Sequence, residues 1–580
     1  MSRDWEDETR RWGIERNYVD VRGQRQEATP EALQRIIDAL RASGHPPMPF
    51  SQPGRPIPSY QGNGRRAWIA SAQLYSLRSQ RNWGIGDFTD LAYLIKIVAE
   101  LGAAGVGINP LHALFAERPE DASPYAPNSR LFLNPLYIDV EAIPYFPRSY
   151  AIEKADLLKR LHDNELIDYS AVASLKWPAL RAAHRSFREH ARTSERTSFE
   201  RFSKERGLAL LRFAAFETLR AKFRTVWWDW PVQWRKPRDD DLQRLQDKEA
   251  DELEFHYFVQ WIADRQLQAC GALARASGMS IGLYIDVAVG VDASGADAWI
   301  AQDAMLRGLS VGAPPDVYNT IGQDWGLTSF NPHGLLLQKL TPMRDMLQAA
   351  MRYAGAIRID HALGLMRLYV IPHGSQPTDG AYIRFPLAVM LNVIAEESRL
   401  ARCIVIGEDL GTVPENFRDE MHVWGLWSYL VMLFERQPDG SFKKAERYRE
   451  HALATFSTHD LPSYSGWVTG HDLVTKRAIG IDPGESDEDR ERSRSALREV
   501  IGVLDDFVPV VEFLAATPTR LVAIALEDVL ALRDQINVPG TLTQHPNWRR
   551  RVPVELDALR EHQGLRDIAA VFRRFGRADG

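Results

Sequence analysis

The sequence predicts an α/β fold, a (β/α)8 TIM barrel with helical insertions around its carboxyl-terminal mouth, and three observations carry that expectation. Eight short apolar runs recur along the chain, most of them followed by loop signals and then by helical patterns. They read as nearly continuous apolar stretches, the pattern of strands buried on both faces, rather than as alternating ones. Several close on a carboxylate or a histidine, and in this architecture the functional face lies where the strands end.

Taken in order, residues 1 to about 45 predict a short helical extension, ending in the apolar spacing of Leu33, Ile36, Ile37 and Leu40. A stretch rich in Pro, Gly and Ser, from Pro46 to Gly64, reads as a linker, which divides the chain into 1–65 and a barrel body over 66–580. Strands are expected at Ala67–Ala72, Gly105–Asn109, Ile281–Asp286, Ala356–Asp360, Cys403–Glu408, Tyr429–Phe434, Ala454–Ser457 and Val522–Leu526. Between the second and third lies a helical insertion at about 141–280, carrying Trp227, Trp228, Trp230 and Trp234. A second is expected at about 470–515, where the charge run Glu485–Arg494 reads as a solvated helix face. No C-terminal β-sandwich is expected after the eighth strand.

Composition narrows the function. The 580 residues exceed the size at which one hydrophobic core stops growing, roughly 250–300 residues, and 45% hydrophobic with 26% charged residues is ordinary globular composition. Lys plus Arg (71) fall short of Asp plus Glu (77), so no basic field gathers a polyanion and no nucleic acid partner is expected. The amino terminus lacks the apolar core of a signal peptide and no run of about 18 apolar residues occurs, so no membrane association is expected. Cys270 and Cys403 sit in apolar-flanked segments and form no disulfide framework, which predicts a reducing, cytoplasmic location.

The chemistry is expected where four runs close with acids: Leu283-Tyr-Ile-Asp286, Ile357-Arg358-Ile-Asp360-His361, Val405-Ile-Gly-Glu408-Asp409 and Phe456-Ser-Thr-His459-Asp460. Arg358 and Asp360 are two apart on a strand and point the same way, and a guanidinium beside a carboxylate holds it ionised. That is the state a nucleophile at an anomeric carbon needs. Glu408, closing the next strand, faces the same cavity; anionic Asp360 and Asp460 push its pKa upward and leave it protonated, able to donate to a leaving glycosidic oxygen. A retaining pair of carboxyls stands ~5–5.5 Å apart, within reach of neighbouring strands ~4.8 Å apart. Asp460 then grips hydroxyls of the reacting sugar and favours its distorted ring, with His361 and His459 donating to neighbouring hydroxyls. Asp409 faces away and reads as structural. Clustered acids can also hold Mg²⁺, but Arg358 competes with a cation, and neither a phosphate-cradling glycine loop nor a zinc spacing lies nearby, so neither metal nor cofactor is expected.

These strand ends resemble the four short motifs of the α-amylase superfamily. From about residue 66 onward the chain more narrowly resembles the 4-α-glucanotransferases, the amylomaltase or disproportionating-enzyme family, through Asn82-Trp-Gly-Ile-Gly-Asp87-Phe, Ser123-Pro-Tyr125-Ala-Pro-Asn-Ser129, Asp286-Val-Ala-Val-Gly-Val, Gly312-Ala-Pro-Pro-Asp316, Gly322-Gln323-Asp-Trp325-Gly, Gly407-Glu408-Asp409-Leu-Gly-Thr and Asn537-Val-Pro-Gly-Thr541. The resemblance implies retaining transfer of α-1,4-glucan segments to the 4-hydroxyl of an acceptor. Its implied partners are maltooligosaccharides, starch or glycogen-type α-glucans, and glucose as acceptor. It further implies that Gly312–Asp316 is a lid over the donor subsites, and that Ser123, Tyr125, Asp286, Gln323, Trp325, Arg358 and Asn537 contact glucose units. Glycine and paired prolines suit a loop lying close on a sugar chain, and Trp325 offers a stacking face. The string Trp12 to Gln24 resembles the start of longer bacterial members, although the amino-terminal part here is much shorter.

Overall fold

Eight parallel strands close into a barrel in the computed structural model, which describes residues 2–19, 24–51, 54–315, 322–411 and 413–579. The barrel strands are β1 (Ala67–Ala72), β2 (Gly105–Ile108), β3 (Gly282–Val287), β4 (Ala354–Ile359), β5 (Ile404–Gly407), β6 (Trp427–Val431), β7 (Ala452–Thr455) and β8 (Leu521–Ala525). They neighbour one another in chain order, with β8 pairing back onto β1. All eight coincide with the expected apolar runs, with shifts at their ends.

Two shifts matter. The sixth strand ends at Val431, and Met432–Phe434 turns into a 3-10 helix. The seventh ends at Thr455, so His459 and Asp460 stand in the following loop instead of closing the strand as the sequence reading placed them. The loop is folded by its own polar groups: the Ser457 hydroxyl donates to the Pro462 carbonyl at 2.7 Å, and the Asp460 N–H donates to the Thr458 hydroxyl at 3.2 Å.

The barrel interior is filled, not open. Ile69, Tyr284, Ile404, Ile406, Trp427, Leu453 and Leu521 meet inside it with small Ala67, Ala356 and Ala523 between them. The Tyr284 ring fits because Gly107 faces it: a Cβ at 107 would lie 2.8 Å from Tyr284 Cδ1. A core packed this way confines polar chemistry to the rim.

The insertion over 141–280 is helical as expected, led by Tyr169–His190, Thr193–Phe223 and Ala250–Ala276. Of its tryptophans, Trp227 and Trp230 are buried whereas Trp228 is exposed. The later insertion contains helix Asp487–Ile501, whose charge run faces solvent except at Arg490. That guanidinium is buried and pairs with Asp472 and Glu485 at 2.8 Å, pinning the helix inward.

A six-stranded antiparallel sheet beside the mouth has no counterpart in the sequence reading. Its order is Ile14–Glu15, Ala381–Arg384, Arg367–Pro372, Leu309–Ala313, Gln323–Thr328 and Val291–Asp292. The amino-terminal part is therefore not purely helical: helices Ser2–Arg11 and Pro30–Ala42 flank a strand that pairs Ile14 with Ile383. Helix Pro30–Ala42 buries Leu33, Ile36, Ile37 and Leu40, the face its spacing predicts. Within 46–64, Ser59 and Gln61 bond the Gly425 carbonyl at 2.6 and 2.7 Å, and Gln61 accepts from Trp427 Nε1 at 2.9 Å, fastening this stretch to the amino end of β6.

The string Asn82–Phe88 is structural. Asp87 caps helix Phe88–Glu100 through the N–H groups of Thr89 and Asp90, while Arg81 bridges Asp87, Asp90 and Asp139. Gly86 is required by close approach, since a Cβ there would lie 2.0 Å from the Leu74 carbonyl oxygen. Gly86→Ala is expected to destabilise the fold by about 2 kcal/mol or more, whereas Gly54→Ala, whose added Cβ meets nothing within 4 Å, should change it by less than ~0.5 kcal/mol. Thermal unfolding of the two variants beside the parent checks this, and equal melting temperatures would contradict the packing.

Candidate active site

The rim residues are placed by strand register. Arg358 in β4 is opposite Asp286 in β3 and Ile406 in β5, and Ile359 is opposite Gly407. Asp360 and Glu408 thus leave neighbouring strands side by side. The ladder continues past them, with the Glu408 N–H donating to the Ile359 carbonyl at 3.0 Å and the Ala362 N–H to the Glu408 carbonyl at 2.8 Å.

Arg358 joins the acids. Its Nη1 donates to both Asp286 oxygens at 2.9 and 2.7 Å, its Nη2 meets Asp360 Oδ1 at 2.9 Å, and its guanidinium carbon lies 5.2 Å from the Tyr429 ring centroid. A cation bridging Asp286 and Asp360 would compete with this guanidinium. Glu408 is held by the backbone: Oε2 accepts from the His361 N–H at 2.9 Å and Oε1 from the Leu410 N–H at 2.7 Å. His361 adopts φ 46°, a left-handed conformation costly for a non-glycine residue, and its N–H in that turn meets Glu408.

Burial raises Asp360 to about 6, with Arg358 opposing it, so the carboxylate is mostly ionised at neutral pH. The guanidinium therefore acts by limiting the rise that burial causes. Glu408 is also raised, and burial is the first cause; Arg358 and the Leu410 and His361 N–H groups oppose it. Sequence reasoning had assigned that rise to neighbouring acids.

Asp286 has its acceptor positions filled by Arg358, by the Val287 N–H at 2.9 Å and by the Tyr125 hydroxyl at 2.6 Å, so in this structure it holds Arg358 and Tyr125. The Tyr125 hydroxyl also lies 3.2 Å from His459 Nδ1. His459 Nε2 stands 3.3 Å from Asp460 Oδ2. Burial alone would lower its pKa, but Asp460 outweighs burial and raises it. In return His459 and Asn537 hold Asp460 below its usual value against burial. Asn537 Nδ2 donates to Asp460 Oδ1 at 2.6 Å.

The remaining expected residues gather around this frame. Tyr125 stacks on His459 at 4.6 Å, and the Ser123 hydroxyl accepts from the Tyr125 N–H at 3.3 Å. Trp325 meets His361 edge to face at 5.2 Å and donates from Nε1 to Gln323 at 3.1 Å, so the outlying sheet reaches the barrel mouth. Of the expected lid, Gly312 and Ala313 end a strand of that sheet, and Asp316 lies outside the described residues. Asp409 points away, accepting from the Tyr429 N–H at 3.0 Å and from Arg418 Nε at 2.8 Å.

Sequence reasoning missed several neighbours. Gln73, Asn109, Tyr429, Glu527 and Gln535 line the same cavity as Asp286, Arg358 and His459, and Trp548 packs 5.4 Å from both Tyr125 and His459. Glu527 carried a usable signal, because an acid directly after the eighth apolar run is the pattern that marked the others; burial raises it to about 7. Trp548 carried none.

Comparison with known proteins shows the family and the fold. The family model described as 4-alpha-glucanotransferase matches residues 72–557. A 4-alpha-glucanotransferase of Mycobacterium tuberculosis is 39% identical over 518 residues, covering 84% of this chain and 71% of the relative. One from Haemophilus influenzae is 34% identical over 544 residues, covering 87% of this chain and 78% of the relative. Among solved structures, an amylomaltase from Corynebacterium glutamicum superposes with a TM-score of 0.84 at 27% identity, covering 99% of this chain and 100% of that one. An amylomaltase from Streptococcus agalactiae, at 19% identity, shares the fold with a TM-score of 0.75 over 89% of this chain and 100% of that one.

The two adjacent acids after β5 separate cleanly. Asp409→Ala leaves the Tyr429 N–H and Arg418 without their partner and should cost about 2–4 kcal/mol of stability. Glu408→Gln should melt within about 1 kcal/mol of the parent while losing activity. Parallel thermal melts and rate assays check the pair, and a stable Asp409→Ala protein would refute the structural assignment.

Proposed function

The chain belongs to the 4-alpha-glucanotransferase family, and on that premise we propose that its transfer reaction runs through Asp360 as nucleophile and Glu408 as acid and base. The observation that carries this reading is the pair of carboxyls on neighbouring strand ends, one bonded to a guanidinium and the other to two backbone N–H groups. Glu408 gives its proton to the glycosidic oxygen, the aglycone glucan departs, and Asp360 bonds the anomeric carbon in β configuration. Glu408, now a carboxylate, takes the proton of an acceptor 4-hydroxyl, whose oxygen displaces Asp360 and restores the α configuration. Asp460, steadied by His459 and Asn537, is assigned to the hydroxyls of the reacting sugar.

The substrates in this reading are maltooligosaccharides and starch or glycogen-type glucans as donors, with glucose or a short oligosaccharide as acceptor. Ser123, Tyr125, Gln323, Trp325, His361 and Asn537 are assigned to sugar contacts, and Arg358 and Asp286 to holding Asp360 and Tyr125. Transfer prevails over hydrolysis when an acceptor sugar excludes water from the glycosyl-enzyme. No helix among the described residues is long and apolar enough to cross a membrane, and both cysteines are buried free thiols, which supports our placing the protein in the cytoplasm.

Incubation with maltotriose should yield glucose together with oligosaccharides longer than the starting sugar. Release of only glucose and maltose would make the protein a hydrolase. Asp360→Asn and Glu408→Gln should each lower kcat by at least about 10³-fold. The pH profile should be bell-shaped: activity climbs as pH rises through about 6, where Asp360 loses its proton, and falls again once Glu408 is deprotonated. A profile flat between pH 5 and 7, a range spanning that value by about one unit on either side, would count against Asp360 as the group that must ionise.

A further inference from the structure

Outside the barrel wall, a second pocket, its apolar lining interrupted by charged side chains, lies between β3, strand Ser129–Leu133 and the helices Thr193–Phe223, Ala250–Ala276 and Thr341–Met351. Its lining contains Arg130, Arg206 and Arg352 but a single carboxylate, Asp264. That carboxylate is used up: Oδ1 receives Arg206 Nη2 at 3.2 Å and Arg352 Nη1 at 3.4 Å, and Oδ2 receives the Tyr353 hydroxyl at 2.6 Å.

Positive charge is left over. Arg206 Nε and Arg130 Nε are buried and have no hydrogen-bond partner among the described residues. Arg130 is 5% exposed, its Nη1 donates to the neutral carbonyls of Ala288 and Val289, and Asp297 is the carboxylate whose charge acts on it. Burial and the neighbouring Arg352 both lower the pKa of Arg206, and His112 at the same pocket is lowered to about 3 by burial and by Arg130, so it adds no charge and accepts the Ala288 N–H at 3.3 Å. Buried and half-buried guanidinium groups that outnumber the carboxylates near them are stabilised when an anion joins them. The backbone also departs from helix beside Arg206, where Gly207 takes φ 47° and ψ −128° inside helix Thr193–Phe223.

We propose that this pocket is an anion site that takes a small oxyanion of the phosphate class, free or as an ester, between the Arg206 and Arg352 guanidinium groups. Planar guanidinium forks present paired N–H donors that suit a multi-oxygen anion better than a spherical halide. None of these arginines belongs to the candidate active site, so the site is open to test in the intact, active protein.

The experiment is titration of the full chain with inorganic phosphate, with a hexose phosphate and with chloride at matched ionic strength, followed by thermal shift and calorimetry. Phosphate should raise the melting temperature in a saturable way, as a ligand of the folded state must, and chloride should not. Arg206→Gln and Arg352→Gln should each weaken phosphate binding at least about 10-fold while still disproportionating maltotriose, which shows that they are folded. If Arg206→Gln does not fold, the partly exposed Arg352→Gln gives the same reading. A hexose phosphate binding at least about 10-fold tighter than the free ion would identify an ester as the natural occupant, and equal affinity would identify the free ion. Absence of a saturable shift, an equal shift with chloride, or undiminished binding in both variants would overturn the proposal.

Discussion

Everything at the barrel mouth is arranged around one buried guanidinium. Arg358 reaches Asp286 on one side and Asp360 on the other, with an aromatic ring of Tyr429 beneath it. A buried cation of this kind is tolerable only because its donors meet carboxylates, and it opposes the rise that burial gives Asp360. The consequence spreads outward by hydrogen bonds. Asp286, already engaged, accepts from the Tyr125 hydroxyl, Tyr125 lies against His459, and His459 faces Asp460, which raises its pKa. Contacts that begin at one charge in β4 thereby reach a loop that follows β7. The same reasoning explains why the acids differ. Asp360 is held by a cation and Glu408 by two peptide N–H groups, so burial acts on both but is opposed differently.

Much of this was legible in the residues. The eight strands were readable because each is buried on both faces and so is apolar without alternation, and the carboxylates at their ends stood out against that background. Where the reading slipped, the reason is local. His459 and Asp460 follow an apolar Phe456 that extends the run by eye, whereas Ser457 and Thr458 bond within the loop and end the strand at Thr455. The pKa shift of Glu408 was anticipated in direction, but its first cause is enclosure by apolar neighbours, which no spacing of letters reveals.

The outlying sheet was not legible at all. Its strands are two to six residues long, and its neighbours come from residues 14–15, 291–328 and 367–384, so pairing is decided by contacts remote in sequence. Trp548 belongs to the same class: it comes to lie against Tyr125 and His459 from the far end of the chain with no periodic pattern around it. Asp409 shows the opposite case, since adjacency to Glu408 puts its side chain on the other face, and there it serves the next strand.

The two-residue strand Ile14–Glu15 occupies one margin of that outlying sheet, beside Ala381–Arg384. Without it, the free peptide groups of Ala381–Arg384 would face water as a ready template for a strand from another molecule. The leading residues thus cover that border, and shortening the chain from its amino end would lay it open to another strand.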